Sequence, residues 1–129
     1  MITENRHTPE KCLNILLVED DAEIADWLAD RIEQNREIAS FTWNASISEA
    51  QVSLMRMIPD LIILDLKLPD GNGIEILKTI KHRQLSVKVI IFSINTGMKN
   101  ACLRLGAHAF FDKIGGGDDL MMEVKNSFY

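Results

Sequence analysis

Five times along this chain a short apolar run gives way to a stretch whose apolar residues recur three and four apart. The runs are "LNILLV" (13–18), "EIASFTW" (37–43), "LIILD" (61–65), "VKVIIF" (87–92) and "HAFFDK" (108–113). Short runs rich in Val, Ile or Phe read as strands rather than helices. Unbroken apolar character, as in "LNILLV" and "LIIL", is what a parallel strand covered on both faces carries. Between the runs, Ile24, Trp27, Leu28 and Ile32 share one helical face within 21–35. Ser46 or Ser48 is placed to cap a helix that runs through Met57 and is ended by Pro59. Ile74, Leu77 and Ile80 recur within 72–83, and Met98, Ala101, Cys102 and Leu105 recur ahead of Gly106, a helix stop. Leu120, Met121, Val124 and Phe128 make a last apolar face behind Gly115, Gly116 and Gly117, with Asp118 as its N-cap. The pattern is (βα)5: a single α/β domain with a parallel sheet, helices on both faces and right-handed crossovers.

A chain of 129 residues can bury one proper core. Residues 1–11, "MITENRHTPEK", are polar and aperiodic and read as a leader, which leaves 12–129 for the domain. No apolar run approaches the ~18 residues of a membrane span, and no secretory signal is visible, so a cytoplasmic location is expected. A net charge of −5 without a run of Lys or Arg argues against a nucleic-acid surface. Cys12 and Cys102 read as reduced thiols. Met55, Met57, Met121 and Met122 read as core filler. Trp27 and Trp43 read as packing residues, with Trp43 partly exposed. His82 reads as a surface residue, and His7 and His108 lack partners at metal-ligand spacing.

In an open α/β sheet, ligands bind beyond the carboxyl ends of the strands. Glu19, Asp20 and Asp21 follow the first strand, Asp65 ends the third, Ser93 follows the fourth and Lys113 the fifth. Each has a plain structural reading. Asp20 or Asp21 caps a helix, Asp65 opens the turn at Pro69-Asp70-Gly71, Ser93 caps the fourth helix, and Lys113 is solvated. Unrelated local roles need not converge on one edge with complementary types, however. Only for Asp21, at a helix start, is the cap the stronger reading.

Glu19, Asp20 and Asp65 side by side would repel one another, and a hard divalent cation such as Mg²⁺ relieves that. Such a cation also holds phosphoryl oxygens, and Lys113 and Ser93 are suited to others. One carboxylate is then free to act as a nucleophile toward phosphorus, giving an acyl phosphate.

With "LLVEDD", "LIILDLKLPDGNG", "VIIFS" and "GAHAFFDK" in that order, the chain resembles the response-regulator receiver domains of two-component signalling over residues 12–128. The resemblance implies a flavodoxin-like sheet of order 2-1-3-4-5. It implies Mg²⁺ bound directly by Asp20, through water by Glu19, by Asp65 and by the backbone carbonyl of Lys67. Asp65 is then the phosphoacceptor, Ser93 and Lys113 contact the phosphoryl group, and Phe110 stands at the aromatic switch position. Phosphorylation draws Ser93 inward, the ring packs inward, and the surface of the fourth helix, fifth strand and fifth helix is repacked. The implied partners are a sensor histidine kinase or phosphotransfer protein and a downstream target or effector domain. A homodimer through that same surface is a further implication. No nucleic acid and no membrane is expected to bind this domain.

Three positions depart from the family pattern. Ile94 stands where a small residue is usual and narrows access to Asp65. Ile114 follows Lys113 where a cis-proline is common, and the three glycines are expected to loosen that loop. Phe110 lacks a tyrosine hydroxyl. Two other readings compete. A Mg²⁺-dependent aspartyl phosphatase or phosphotransferase would want an acid two residues after its nucleophile, and Lys67 stands there. A receiver-like module that signals without phosphorylation would not need the full set of acids, serine and lysine.

Overall fold

The five runs pair side by side in parallel, and the three central ones are buried almost throughout, as strands covered on both faces are. The computed structural model describes residues 12–35 and 37–128, so the leader and His7 lie outside the described residues. The strands are β1 (Leu13–Val18), β2 (Ile38–Asn44), β3 (Leu61–Leu64), β4 (Lys88–Ser93) and β5 (Ala109–Asp112). They form one sheet in the order β2-β1-β3-β4-β5. The helices are α1 (Ala22–Ile32), α2 (Ile47–Arg56), α3 (Ile74–His82), α4 (Lys99–Arg104) and α5 (Gly117–Asn126), and a 3-10 turn at Thr96–Met98 leads into α4. A two-residue antiparallel ladder, Lys67–Leu68 with Gly71–Asn72, forms the loop after β3.

Side chains alternate across the sheet with period two. Leu13, Ile15 and Leu17 join Ile63, Ile90 and Phe92 under α1 and α5, where Leu28, Leu120 and Val124 close the core. Leu16 and Val18 join Ile62, Leu64 and Ile91 under α2, α3 and α4, against Leu54, Leu77 and Cys102. All four residues of β3 are buried. Each contributes roughly 1.5–3 kcal/mol of burial, so the exit of β3 is firmly placed.

Local chemistry sets the helix ends. Asp21 caps α1, its Oδ1 accepting from the backbone N–H of Glu23 at 2.9 Å. Ser46, rather than Ser48, caps α2 by accepting from Glu49 N at 3.2 Å. α5 is capped by Gly116 and not by Asp118, which sits in its first turn, where an acid favours the helix dipole.

Other expectations need correction. Two of the three glycines after β5 answer to close packing rather than to looseness. A Cβ on Gly116 would stand 2.3 Å from the Asp112 carbonyl oxygen, and one on Gly117 would stand 2.8 Å from the Trp27 ring. Gly116 and Gly117 are small because the chain packs closely there, whereas Gly115 meets nothing within 4 Å and takes a φ of +90° that favours glycine. Met55, Met57 and Met122 are exposed, and Met55 keeps 78% of its surface. Ala50 and Leu54 take the inward positions of α2, which leaves Val52 and Met55 facing out. Trp27 is also half-exposed, with the Arg31 guanidinium 4.6 Å from its ring centroid. Cys12 and Cys102 are both free, one exposed and one buried. His108 pairs with Glu123 at 3.2 Å, which Lys88 meets at 2.7 Å.

One close approach bears on the sheet edge. A Cβ on Gly73 would stand 2.2 Å from the backbone oxygen of Asp65 and 3.1 Å from Leu64. Gly73→Ala must therefore push the β3 exit aside, an overpacking cost of about 3 kcal/mol. Chemical denaturation of the two proteins should show that loss, and equal midpoints would contradict this geometry.

Candidate functional site

Register brings the polar residues together. Val18 lies beside Leu64 across β1 and β3, and Ser93 lies beside Asp112 across β4 and β5. Three bonds extend the ladder one step past the strand ends: Glu19 N to Asn44 O at 3.0 Å, Asp65 N to Val18 O at 2.9 Å, and Lys113 N to Ser93 O at 3.1 Å. Glu19, Asp65, Ser93 and Lys113 consequently leave the sheet at one edge.

Glu19 and Asp65 are almost wholly buried, 1% and 4% exposed, while Asp20 is exposed. The Lys113 ammonium lies between the two buried acids, 2.8 Å from Glu19 Oε1 and 2.8 Å from Asp65 Oδ2. The other Asp65 oxygen, Oδ1, accepts from Leu66 N at 2.7 Å. Glu19 Oε2 accepts from Asp21 N at 3.1 Å. One carboxylate oxygen from each of Glu19, Asp20 and Asp65 lies within 4.8 Å of the others. Three carboxylates against one ammonium leave a deficit equal to a divalent cation's charge, and an all-oxygen donor set suits a hard one.

Burial pushes the Glu19 carboxyl up to about 7. The Lys113 hydrogen bond opposes that rise, the Asp65 charge adds to it, and the Asp21 N–H opposes it again. Burial also works against the charge of Lys113. Its hydrogen bonds to Asp65 and Glu19 outweigh burial and hold its pKa above the ordinary lysine value.

A divalent-cation cluster alone does not fix a family. Residues 15–125, however, match the family model of the response regulator receiver domain. The chain belongs to this family. The receiver domain is 32% identical over 105 residues to a protein-glutamate methylesterase/protein-glutamine glutaminase of Clostridium acetobutylicum, covering 78% of this chain and 30% of that protein. It is 34% identical over 116 residues to the KDP operon transcriptional regulatory protein KdpE of Escherichia coli, covering 87% and 49%. Its fold superposes on the signal receiver domain of a LuxO repressor protein of Vibrio parahaemolyticus with a TM-score of 0.81 at 27% identity, covering 90% and 89%. The chain spans between 30% and 54% of the length of the first curated relatives it matches. Among the described residues, no helix is long and apolar enough to cross a membrane.

Within the receiver domain the remaining predicted residues take different places. Ser93 is fully buried at the end of β4, and its Oγ accepts from Asn95 N at 3.1 Å. Ser93 therefore ties down the turn after β4 but does not cap the fourth helix, whose N-cap position is Met98 with no side-chain bond. Lys67 is exposed on the small ladder beside Asn72. Ile94 is 58% exposed and lines a cleft of about 400 Å³ with Leu66, Lys67, Gly71, Asn72 and Asn95. Phe110 is already buried, in the cluster that holds Cys102 and Ala107. Without a hydroxyl to keep wet, its ring loses nothing by staying inside.

Two contacts were not expected from the sequence. The Trp43 indole N–H donates to the Glu19 carbonyl oxygen at 2.6 Å. The Asp70 carboxylate accepts from Ile47 N at 2.9 Å and Ser48 N at 3.0 Å, tying the loop after β3 to the start of α2. Trp43 stands next to last in β2, near the same edge as Glu19, a position the strand order makes visible. No pattern in the sequence points to the Asp70 contact, which bridges 23 residues.

Proposed function

We propose that Asp65 accepts a phosphoryl group from a sensor histidine kinase or phosphotransfer protein, with Mg²⁺ held by Glu19, Asp20, Asp65 and the Lys67 carbonyl. The observation that carries this is the Lys113 ammonium 2.8 Å from both Glu19 and Asp65, inside a cluster whose third acid faces solvent. Mg²⁺, when bound, neutralises the cluster and holds phosphoryl oxygens. Asp65 is the nucleophile, buried for position and open at the strand end. Lys113 is then poised to trade a carboxylate oxygen for a phosphoryl oxygen, and the Ser93 hydroxyl to leave Asn95 and donate to another. That rearrangement shifts the β4–α4 connection and so alters the α4–β5–α5 surface. Phe110, already packed inside, holds that surface in one arrangement rather than swinging into it. The output is a contact with a cytoplasmic protein target or with an effector domain of a longer chain. The domain performs no chemistry beyond gaining and losing its own phosphoryl group. Labelling with acetyl phosphate in the presence and absence of Mg²⁺ tests the proposal, and a chain that takes no label under either condition would refute it.

The elevated Glu19 pKa gives the site a pH dependence. A carboxyl that titrates near 7 in the fold and near 4.5 when unfolded favours the folded chain most below 4.5. Its contribution is lost as pH rises through about 7, so metal-free protein is destabilised by this group at pH 8 relative to pH 6. Mg²⁺ has the opposite preference, because it needs the ionised form. Its affinity should fall as pH drops from 8 to 6, by up to about tenfold per pH unit below the pKa. Calorimetric titration checks this, and Glu19→Gln should flatten the profile. A wild-type affinity independent of pH would contradict it.

A further inference from the structure

The peptide groups on both sides of Glu19 are held by two consecutive residues of β2. Glu19 N donates to the Asn44 carbonyl at 3.0 Å, and the Glu19 carbonyl accepts from the Trp43 indole at 2.6 Å. Beyond them, Asp21 is fixed as the cap of α1, its own N–H donating to Glu19 Oε2 at 3.1 Å. The Glu19 carbonyl and the Asp20 N–H belong to one planar unit, so holding the first fixes the Cα of Asp20. Asp20 is the acid of the cluster that burial does not fix, because its side chain is exposed. Trp43 is itself half-exposed. A ring left so accessible has less to gain from packing and keeps a directed N–H.

We propose that Trp43 is a positioning residue for the metal site. Its indole N–H orients the Glu19–Asp20 peptide so that the Asp20 carboxylate stands over Asp65. The inference rests on the reading of Glu19, Asp20 and Asp65 as a Mg²⁺ site. It concerns the geometry of the β1–α1 corner, and the Trp43 side chain touches neither the metal nor the phosphoryl group.

The test is Mg²⁺ affinity by calorimetry at pH 8 for the wild type, Trp43→Phe and Trp43→His. Phe keeps an aromatic ring and loses the N–H. His carries a ring N–H at the equivalent distance along the side chain and is neutral at this pH. One directed hydrogen bond sets the scale, so Trp43→Phe should weaken Mg²⁺ binding about threefold to tenfold. Trp43→His should return it to within about twofold of wild type. Unchanged affinity in Trp43→Phe overturns the inference, and so does equal weakening in both variants, which would assign the effect to ring packing. A wild type that binds no Mg²⁺ overturns it together with the reading of the site, whereas wild-type binding with an unaffected Phe variant sinks the Trp43 role alone. Should Trp43→Phe fail to fold, the wild-type indole N–H still decides. Slowed solvent exchange and a resonance that shifts on Mg²⁺ addition support the inference, and exchange at the rate of free indole overturns it.

Discussion

Asp65→Asn is expected to take no phosphoryl label from acetyl phosphate, a loss of at least ~10³-fold, because an amide is no nucleophile. The fold should survive. Asn keeps the shape of the side chain and an oxygen that can accept from Leu66 N, the bond now 2.7 Å long. Lys113 keeps its contact with Glu19 at 2.8 Å. The substitution also removes the negative charge that helps to raise Glu19, so the Glu19 carboxyl should titrate below its present value of about 7. Mg²⁺ affinity should drop, since one of three acids is gone. Intact-mass measurement after incubation with acetyl phosphate and Mg²⁺ reads the first effect, and NMR titration of the Glu19 side chain reads the second. Label retained by Asp65→Asn would mean that another residue accepts the phosphoryl group, and the role given to Asp65 would fall.

Much of this architecture was legible because parallel sheets leave a strong trace. Leu61–Leu64 is apolar throughout because both of its faces are covered. Once strands and helices alternate, their ends must fall on one edge, so Glu19, Asp65, Ser93 and Lys113 could be grouped without coordinates. What the sequence withheld depends on distances between segments far apart in the chain. The methionines of α2 looked like core because hydrophobicity does not say which face is inward. Ala50 and Leu54 hold that face, and Met55 is left outside. The glycines at 115–117 looked like slack because a missing side chain says nothing of its neighbours. In the fold, two of them are pressed against the Asp112 backbone and the Trp27 ring. Lys113 was assigned to the phosphoryl group by type, whereas its pairing with Glu19 as well as Asp65 needed their common burial to be seen. Trp43 was read as packing for the same reason, since an indole donor is informative only once its acceptor is known.

Lys113→Gln carries the largest expected effect on stability. The ammonium separates two buried carboxylates, touching each at 2.8 Å. Removing one member of such an arrangement leaves buried charge uncompensated, a cost of about 3–5 kcal/mol. The cost should depend on pH in a particular direction. Glu19 already titrates near 7, and the loss of Lys113 removes a hydrogen bond and a positive charge that were both lowering it. Its pKa must rise further, and at pH 6 the protonated carboxyl can share its hydrogen with Asp65 and blunt the damage. At pH 8 a larger part of the repulsion remains, so the variant should lose more stability there. Mg²⁺ offers the charge that the lysine supplied, so saturating Mg²⁺ should stabilise the variant more than the wild type. Label incorporation should fall about 10²-fold or more even with Mg²⁺ present, because no donor then replaces the ammonium beside the phosphoryl oxygens. Urea denaturation at both pH values, with and without Mg²⁺, separates these contributions. A variant as stable as the wild type at pH 8, or one that gains no more from Mg²⁺, would show that Lys113 does not hold the two acids together. Its place at the site would then have to rest on phosphoryl transfer alone.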